Sequence, residues 1–397
     1  MQEEKFYEEL LALPLLQVES VEKQPGKIIM HCSYQSEGAR CPLCGSVTSE
    51  VNQYVYRQVR DLDISGNQTW LHIRIPQYVC SSCQRYFNDS PDWVEPGKSY
   101  TKRQSKWIFE LCAKQPFTEV GALTDMHHKT VERLYYQQAE AQVDIAQRYR
   151  QVSKLGIDEL SHRKGKQDYV CVLTDLERGT QLDVLPNRKK ETLIAHFEAL
   201  GTDFCQQIKV VCCDLWRPYL QVAEHCFPQA RVVIDRFHVV KSLNEVLDQM
   251  RKSLRRKYPN EPIYKDLRWK LFKRLEHCNE QDQAALQQAM DKSWELHEVY
   301  QLRNTFHALF DTAPDEQYLS GQLDLWIEHA QSIGNKYLNR FIKTLQNWKE
   351  PIAAFASTGV SNAVTEGLNN YIRYFKRISF GVPNFGHMRL RILMATA

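Results

Sequence analysis

Apolar and polar residues alternate along Asn67–Val79 (NQTWLHIRIPQYV), and shorter runs of the same kind recur through residues 1–95. Side chains of a strand point to alternate faces, so this region is expected to be small and β-rich. Residues 90–97 contain Pro91, Pro96 and Gly97 and read as a linker. From 101 to about 150 the apolar spacing turns helical.

A second β block follows, with strands expected at 152–157, 169–175 and Thr180–Leu185, the last two joined by the tight turn Leu176-Glu177-Arg178-Gly179. A helix fits Lys190–Leu200, a strand 208–213, a helix 215–226 and a strand 230–234. Antiparallel strands followed by alternating α and β give an α/β fold in the order of a ribonuclease H-like domain. Between 235 and 351 the periodicity is helical, interrupted early by Pro259 and Pro262, and reads as a large all-helical insertion. The expected organisation is therefore a β-rich module (1–95), a helical region (96–150), an α/β domain (151–235 with 352–397) and its insertion (236–351).

Three acids end or interrupt these patterns. Asp158 closes the apolar run in VSKLGIDEL, Asp214 closes a second in IKVVCCDLW, and Glu366 lies on a helix in SNAVTEGLNNYIRYFKR. Two strand-end aspartates and a distant helical glutamate form an oxygen-ligand pattern suited to Mg²⁺ or Mn²⁺ and to phosphoryl transfer. A lone Asp after a strand is common turn chemistry, so the case rests on all three. On a helix from 362 to 377, Asn362, Glu366, Asn370, Arg373 and Arg377 share one stripe, opposite Val364, Leu368, Tyr371, Ile372 and Phe375. An acid beside Arg373, Lys376 and Arg377 would set a metal ligand among cations that hold phosphate. An ordinary amphipathic surface helix would show the same spacing.

Twelve cysteines in 397 residues without a secretion-type amino terminus argue for reduced thiols and metal ligation, hence a cytoplasmic compartment. Cys41-Pro-Leu-Cys44-Gly and Cys80-Ser-Ser-Cys83 are two knuckles that together supply four thiolates for one structural Zn²⁺, although their separation exceeds that of common zinc ribbons. The remaining cysteines read as packing.

Net charge is only +3, but residues 236–274 hold twelve Lys and Arg against four Asp and Glu. That segment, with Arg255 and Arg256 at its middle, suits a polyanion, and a solvated helix face has the same composition. Residues 117–134 have the layout of a helix-turn-helix, with Val120 and Leu123 inward on the first helix and Val131 and Leu134 on the second. Lys129, Thr130 and Arg133 would then face a DNA groove. No run is long and apolar enough for a membrane span.

The strings GIDELSHRKG, VVCCDLWRPY, VVIDRFHVVKSLN and SNAVTEGLNNYIRYFKRISFG resemble the DDE transposases of bacterial insertion sequences, specifically the ISL-three family. The resemblance extends to the Cys-Pro-x-Cys segment and to the helix-turn-helix. It implies that Asp158, Asp214 and Glu366 are the acidic triad of a transposase that cuts element ends and joins them to target DNA, working as a homo-oligomer on double-stranded DNA. Arg373 stands where that pattern has Lys. His238 could orient a ligand, contact DNA or satisfy a buried hydrogen bond. The competing reading is a catalytically silent DNA-binding regulator, and a third is a nuclease without strand joining.

Overall fold

The computed structural model describes residues 2–163, 168–378 and 382–396, so the ends of two of the quoted strings, 164–165 and 379–381, lie outside the described residues. The chain divides into two compact units, Met1–Ala141 and Gln142–Ala397.

The first unit opens with a helix, α1 (Gln2–Leu11), which the period-two pattern did not foretell; Tyr7 and Leu11 seat it on the sheet core. Seven strands follow: β1 (Leu16–Gln24), β2 (Lys27–Tyr34), β3 (Ala39–Arg40), β4 (Val47–Thr48), β5 (Val51–Ile64), β6 (Asn67–Val79) and β7 (Tyr86–Asn88). The main sheet has the order β1-β2-β6-β5, with β7 on the far end of β6. Along β6 the expected alternation is realised, and Leu71, Ile73 and Ile75 are fully buried on one face. The proline-bearing stretch after β7 is not a free linker. Val94 belongs to the sheet core, and Trp93 donates from Nε1 to the Pro14 carbonyl at 3.0 Å. Three helices complete the unit: α2 (Lys102–Cys112), α3 (Phe117–Thr124) and α4 (His128–Gln142). Thr101 caps α2 through its side chain.

The second unit begins with α5 (Ile145–Arg148) and then β8 (Lys154–Arg163), β9 (Asp168–Asp175), β10 (Thr180–Leu185), α6 (Lys190–Leu200), α7 (Thr202–Gln207), β11 (Val210–Cys213), α8 (Arg217–Cys226) and β12 (Arg231–Ile234). Its five-stranded sheet runs β10-β9-β8-β11-β12. The first three strands are antiparallel neighbours, while β8, β11 and β12 are parallel. Leu155 and Ile157 of β8 pack with Leu193, Phe197 and Val222 from α6 and α8. The next face of the same strand carries Leu160, which packs with Ile372 and Met388.

After β12 the described residues are helical. They form α9 (Arg236–Lys257), α10 (Arg268–Phe272), α11 (Glu280–Asp291), α12 (Trp294–Thr312), α13 (Glu316–Ser332), α14 (Lys336–Ala353), α15 (Phe355–Thr358), α16 (Ala363–Ile378) and α17 (Phe385–Ala395). Aromatic contacts knit the central helices, with Phe306 edge-on to Trp326 and Phe341. Arg303 is buried among them and donates from Nη1 to the Lys273 carbonyl at 2.8 Å and from Nε to Asn244 at 3.1 Å.

Candidate active site

The two cysteine knuckles meet as expected. All four thiols lie within 4.8 Å of one another, with Cys41 Sγ 3.7 Å from Cys83 Sγ and Cys44 Sγ 3.5 Å from Cys80 Sγ. The knuckles are built alike: Gly45 N donates to the Cys41 carbonyl at 2.9 Å, and Gln84 N to the Cys80 carbonyl at 2.8 Å. Both turns need positive φ, which Gly45 takes at 77° and Gln84 takes at 56° despite its side chain. Hydrogen bonds from the Ser46 hydroxyl and amide draw the Cys44 thiol down to about 6. Burial pushes the Cys83 thiol the other way, up to about 12, so the case for one structural Zn²⁺ rests on four sulfurs gathered around one centre.

In the helix pair, Val120, Val131 and Leu134 are buried as the sequence suggested. Leu123 is not; it is 56% exposed, and Thr124 occupies the inward position one helical turn from Val120, bonding back to that carbonyl at 2.7 Å. Lys129 is exposed and pairs with Glu132 at 3.0 Å, whereas Thr130 and Arg133 line a cavity shared with β5 and β6. Part of the basic stretch is structural. Arg251 and Lys252 pair with Asp248, Lys270 and Lys273 with Asp282, and Arg236 and Arg274 with Asp311. Arg255 and Arg256 remain exposed in the last turn of α9.

The acids are organised by strand register. Ile157, Cys213 and Ile234 form the last shared rung of the parallel strands β8, β11 and β12. The following residue on each is an aspartate: Asp158, Asp214 and Asp235. Asp214 and Asp235 follow strand ends. Asp158 does not, contrary to the expectation, because antiparallel pairing with β9, including Asp158 with Val172, carries β8 on to Arg163. Its role as the end of a run survives only on the parallel side.

Asp235, not anticipated as part of the acidic set, was marked by the same signal as Asp214, an acid closing an apolar strand. It caps α9 and accepts from the Asn362 amide at 3.4 Å. One turn along, His238 Nδ1 contacts Asp214 Oδ1 and lies 3.8 Å from Asp235 Oδ2. Among the described residues, the acidic group gathered within 4.8 Å is Asp214, Asp235 and His238; Asp158, Asp214 and Glu366 do not approach one another that closely.

Helix α16 brings in the remaining parts, with its buried face rotated from the one the hydrophobic pattern indicated, so that Ile372 and Phe375 are buried as expected and two polar residues join them. Val364 and Tyr371 are 39% and 43% exposed, while Thr365, Asn369, Ile372 and Phe375 are buried. The reason is Gly156. A Cβ there would come within 3.0 Å of Asn362 Oδ1 and Thr365 Oγ1, so the strand meets polar side chains at close range. Asn362 Nδ2 donates to the Ile157 carbonyl at 3.4 Å, and Asn369 Nδ2 donates to Asp158 Oδ2 at 2.6 Å. The expected polar stripe does form: Arg373 Nη1 reaches Glu366 Oε1 at 3.0 Å and Asn370 Oδ1 at 2.7 Å. Lys376 donates to the Ser161 carbonyl at 2.8 Å, and Arg377 is exposed. Glu366, Asp158, Asp235 and His238 share one cavity of about 470 Å³.

Electrostatics follow from this crowding. Burial, reinforced by the Asp214 charge, pushes the Asp158 carboxyl up to about 7. Burial also raises Asp235. For His238 burial works downward, but its bond to Asp214 and the surrounding carboxylates outweigh it and raise the imidazole. A buried set of carboxylate oxygens with elevated proton affinity is an environment that favours a bound cation.

The chain thus joins a four-thiol module, a helix pair and an α/β domain holding clustered carboxylates. Residues 155–392 match a family model described as transposase, residues 37–83 a zinc-finger of transposase IS204/IS1001/IS1096/IS1165, and residues 90–139 a helix-turn-helix domain of transposase family ISL3. The chain belongs to the ISL3 transposase family. It is 28% identical over 388 residues to the transposase for insertion sequence element IS1001 of Bordetella parapertussis, covering 95% of this chain and 94% of that one. It is 24% identical over 371 residues to the transposase for insertion sequence element IS1557 of Mycobacterium tuberculosis, covering 86% of this chain and 82% of that one. Among the described residues no helix is long and apolar enough to cross a membrane.

Proposed function

We propose that this protein is a DNA transposase that cuts the ends of an insertion sequence and joins them to target DNA by metal-assisted phosphoryl transfer. Met1–Ala141 would read element ends, and Gln142–Ala397 would be a ribonuclease H-like catalytic domain interrupted by a helical insertion. The observation that carries the reading is the row of aspartates following the last parallel rung, with α16 laid beside it.

Asp158, Asp214 and Glu366 are the proposed metal ligands, and their oxygens are the donors that Mg²⁺ and Mn²⁺ prefer. When bound, the ions would polarise the scissile phosphate and activate the attacking water or 3′-hydroxyl. Asn369 holds the Asp158 carboxylate, and His238 orients Asp214. Arg373 and Arg377, on the exposed side of α16, would bind phosphates flanking the cut, and Lys376 would fix the strand edge through Ser161. An element has two ends, and the described residues of one chain gather one carboxylate cluster, which supports a homo-oligomer assembled on DNA.

The Glu366–Arg373 ion pair favours a second reading, a DNA-binding regulator whose glutamate is structurally engaged. One experiment separates them. The purified protein is incubated with duplexes of the repeats flanking its coding region and a plasmid target, with Mg²⁺ or Mn²⁺. Nicked ends and joined products support the transposase; end binding with neither product supports the regulator.

A further inference from the structure

The amino-terminal unit contains a second cavity, cationic in its lining and of about 330 Å³, separate in sequence from the acids of the α/β domain. Its walls come from β5, β6, the segment 97–100 and the beginning of α4, so zinc module and helix pair build it jointly. Arg60 anchors it. This residue is only 5% exposed, and its Nη2 pairs with Asp63 at 2.6 Å, yet Nε and Nη1 have no hydrogen-bond partner among the described residues. The guanidinium lies 5.7 Å from the ring centre of Trp70, its cross-strand partner. Its backbone is tied on both sides, donating to the Ser99 carbonyl and accepting from the Thr101 amide. A buried arginine held this firmly with two donors left over is costly unless an acceptor arrives.

The surroundings favour an anion. Lys98 and Arg133 line the same cavity against one carboxylate, Asp125, which already accepts from Gln68 Nε2 at 2.9 Å. Thr130 adds a hydroxyl in the first turn of α4, where a 15-residue helix presents the positive end of its dipole.

We propose that this cavity binds a backbone phosphate of duplex DNA, gripped by the zinc module and the helix pair together. The inference rests on the DNA-reading role proposed above for this unit. Each free N–H of the guanidinium can donate to a phosphodiester oxygen, and a contact of this type sets the register of a reading helix without itself reading sequence. Arg133 thereby serves the backbone, and Lys129 is left as the exposed cation of that turn.

The test uses the full-length, zinc-loaded protein and fluorescence anisotropy. Short duplexes, one carrying the flanking repeat and one random, are substituted with a neutral methylphosphonate at one backbone position at a time. The wild type is expected to lose about tenfold in affinity at one position. Arg60→Gln is expected to lose about tenfold on unmodified DNA, to become insensitive at that position, and to lower the salt slope by about 0.9. Arg133→Gln, on the exposed wall, repeats the test without disturbing the buried Arg60–Asp63 pair. Because the contact is to backbone, the same pattern is expected on random duplex. Lost end preference alone would therefore count against the reading role, and the site would still be judged on the random duplex. Unchanged methylphosphonate profiles in both variants overturn the proposal. So does inorganic phosphate whose ³¹P line broadening disappears in Arg60→Gln while DNA affinity stays the same, since the cavity would then hold a free anion.

Discussion

Asn369 Nδ2 donates a 2.6 Å hydrogen bond to Asp158 Oδ2, joining α16 to β8 across 211 residues of sequence. The other oxygen, Oδ1, accepts from the Glu159 amide at 2.7 Å, so the carboxylate is fixed at both ends. Removing the amide side chain in Asn369→Ala leaves a buried oxygen without its donor, at a cost of about 1–3 kcal/mol. Strand cleavage is expected to fall roughly 10–100-fold, and half-maximal cleavage should need more Mn²⁺, as for other residues that orient metal ligands. Affinity for end DNA should stay constant. Single-turnover cleavage against Mn²⁺ concentration checks this, and a parallel loss of binding would place Asn369 in the DNA interface instead.

The Asp158 carboxyl gives a pH dependence with a definite sign. Its folded-state pKa, about 7, lies above the ordinary carboxylate value of 3.8 because of burial and the Asp214 charge. The folded state therefore holds a proton that the unfolded chain releases, and the associated stability is present at low pH and lost as pH rises toward 7. With chelator present, Asp158→Asn is expected to raise the melting temperature at pH 8, by a free energy on the order of 2–4 kcal/mol, and to have little effect at pH 4. A melting temperature equally raised at both values would show that charge burial is not the cause.

Sequence and structure agree where local pattern controls the outcome. The strand Thr180–Leu185, the helix Lys190–Leu200 and the four zinc-type cysteines follow from periodicity and spacing. They diverge where a polar residue is buried with a partner. On α16 hydropathy places Ile372 and Phe375 correctly but misses Thr365 and Asn369, which face the sheet because Gly156 and Asp158 stand beside them. By pattern Leu123 faces inward because it is apolar, but the contact is made by Thr124, whose hydroxyl is satisfied within its own helix. Asp235 was visible as a strand-end acid, yet nothing local tells that its strand lies beside β11, which is what sets it next to Asp214.

The zinc tetrad carries a prediction about cooperativity. The knuckles Cys41–Cys44 and Cys80–Cys83 flank β5 and β6, so losing one ligand should loosen that sheet while leaving the second unit folded. Cys44→Ser is expected to reduce zinc content well below one per chain and to lower one of two thermal transitions. Mass-spectrometric zinc analysis with calorimetry checks this. A single transition shifted as a whole would mean that the two units unfold together.

Two cationic surfaces should separate by their dependence on sequence and salt. Lys129 stands exposed at the start of α4, in the helix pair that resembles a DNA reader, and among the described residues it pairs with Glu132 on the same helix. Arg255 and Arg256 are exposed at the end of α9, where no comparable reading element stands beside them in sequence. A cation that reaches base edges contributes to discrimination, whereas one that meets phosphate contributes equally to every duplex. Lys129→Ala is therefore expected to narrow the affinity ratio between end and random DNA by roughly 5–150-fold, the span of 1–3 kcal/mol for a specific base contact. The double substitution of Arg255 and Arg256 with Ala should weaken both duplexes alike and reduce the slope of log affinity against log salt by about 1.8. Binding titrations at several salt concentrations with both duplexes decide it. If the α9 variant narrows the ratio as much as Lys129→Ala does, the specific interface extends to the helical insertion and the division of labour is wrong.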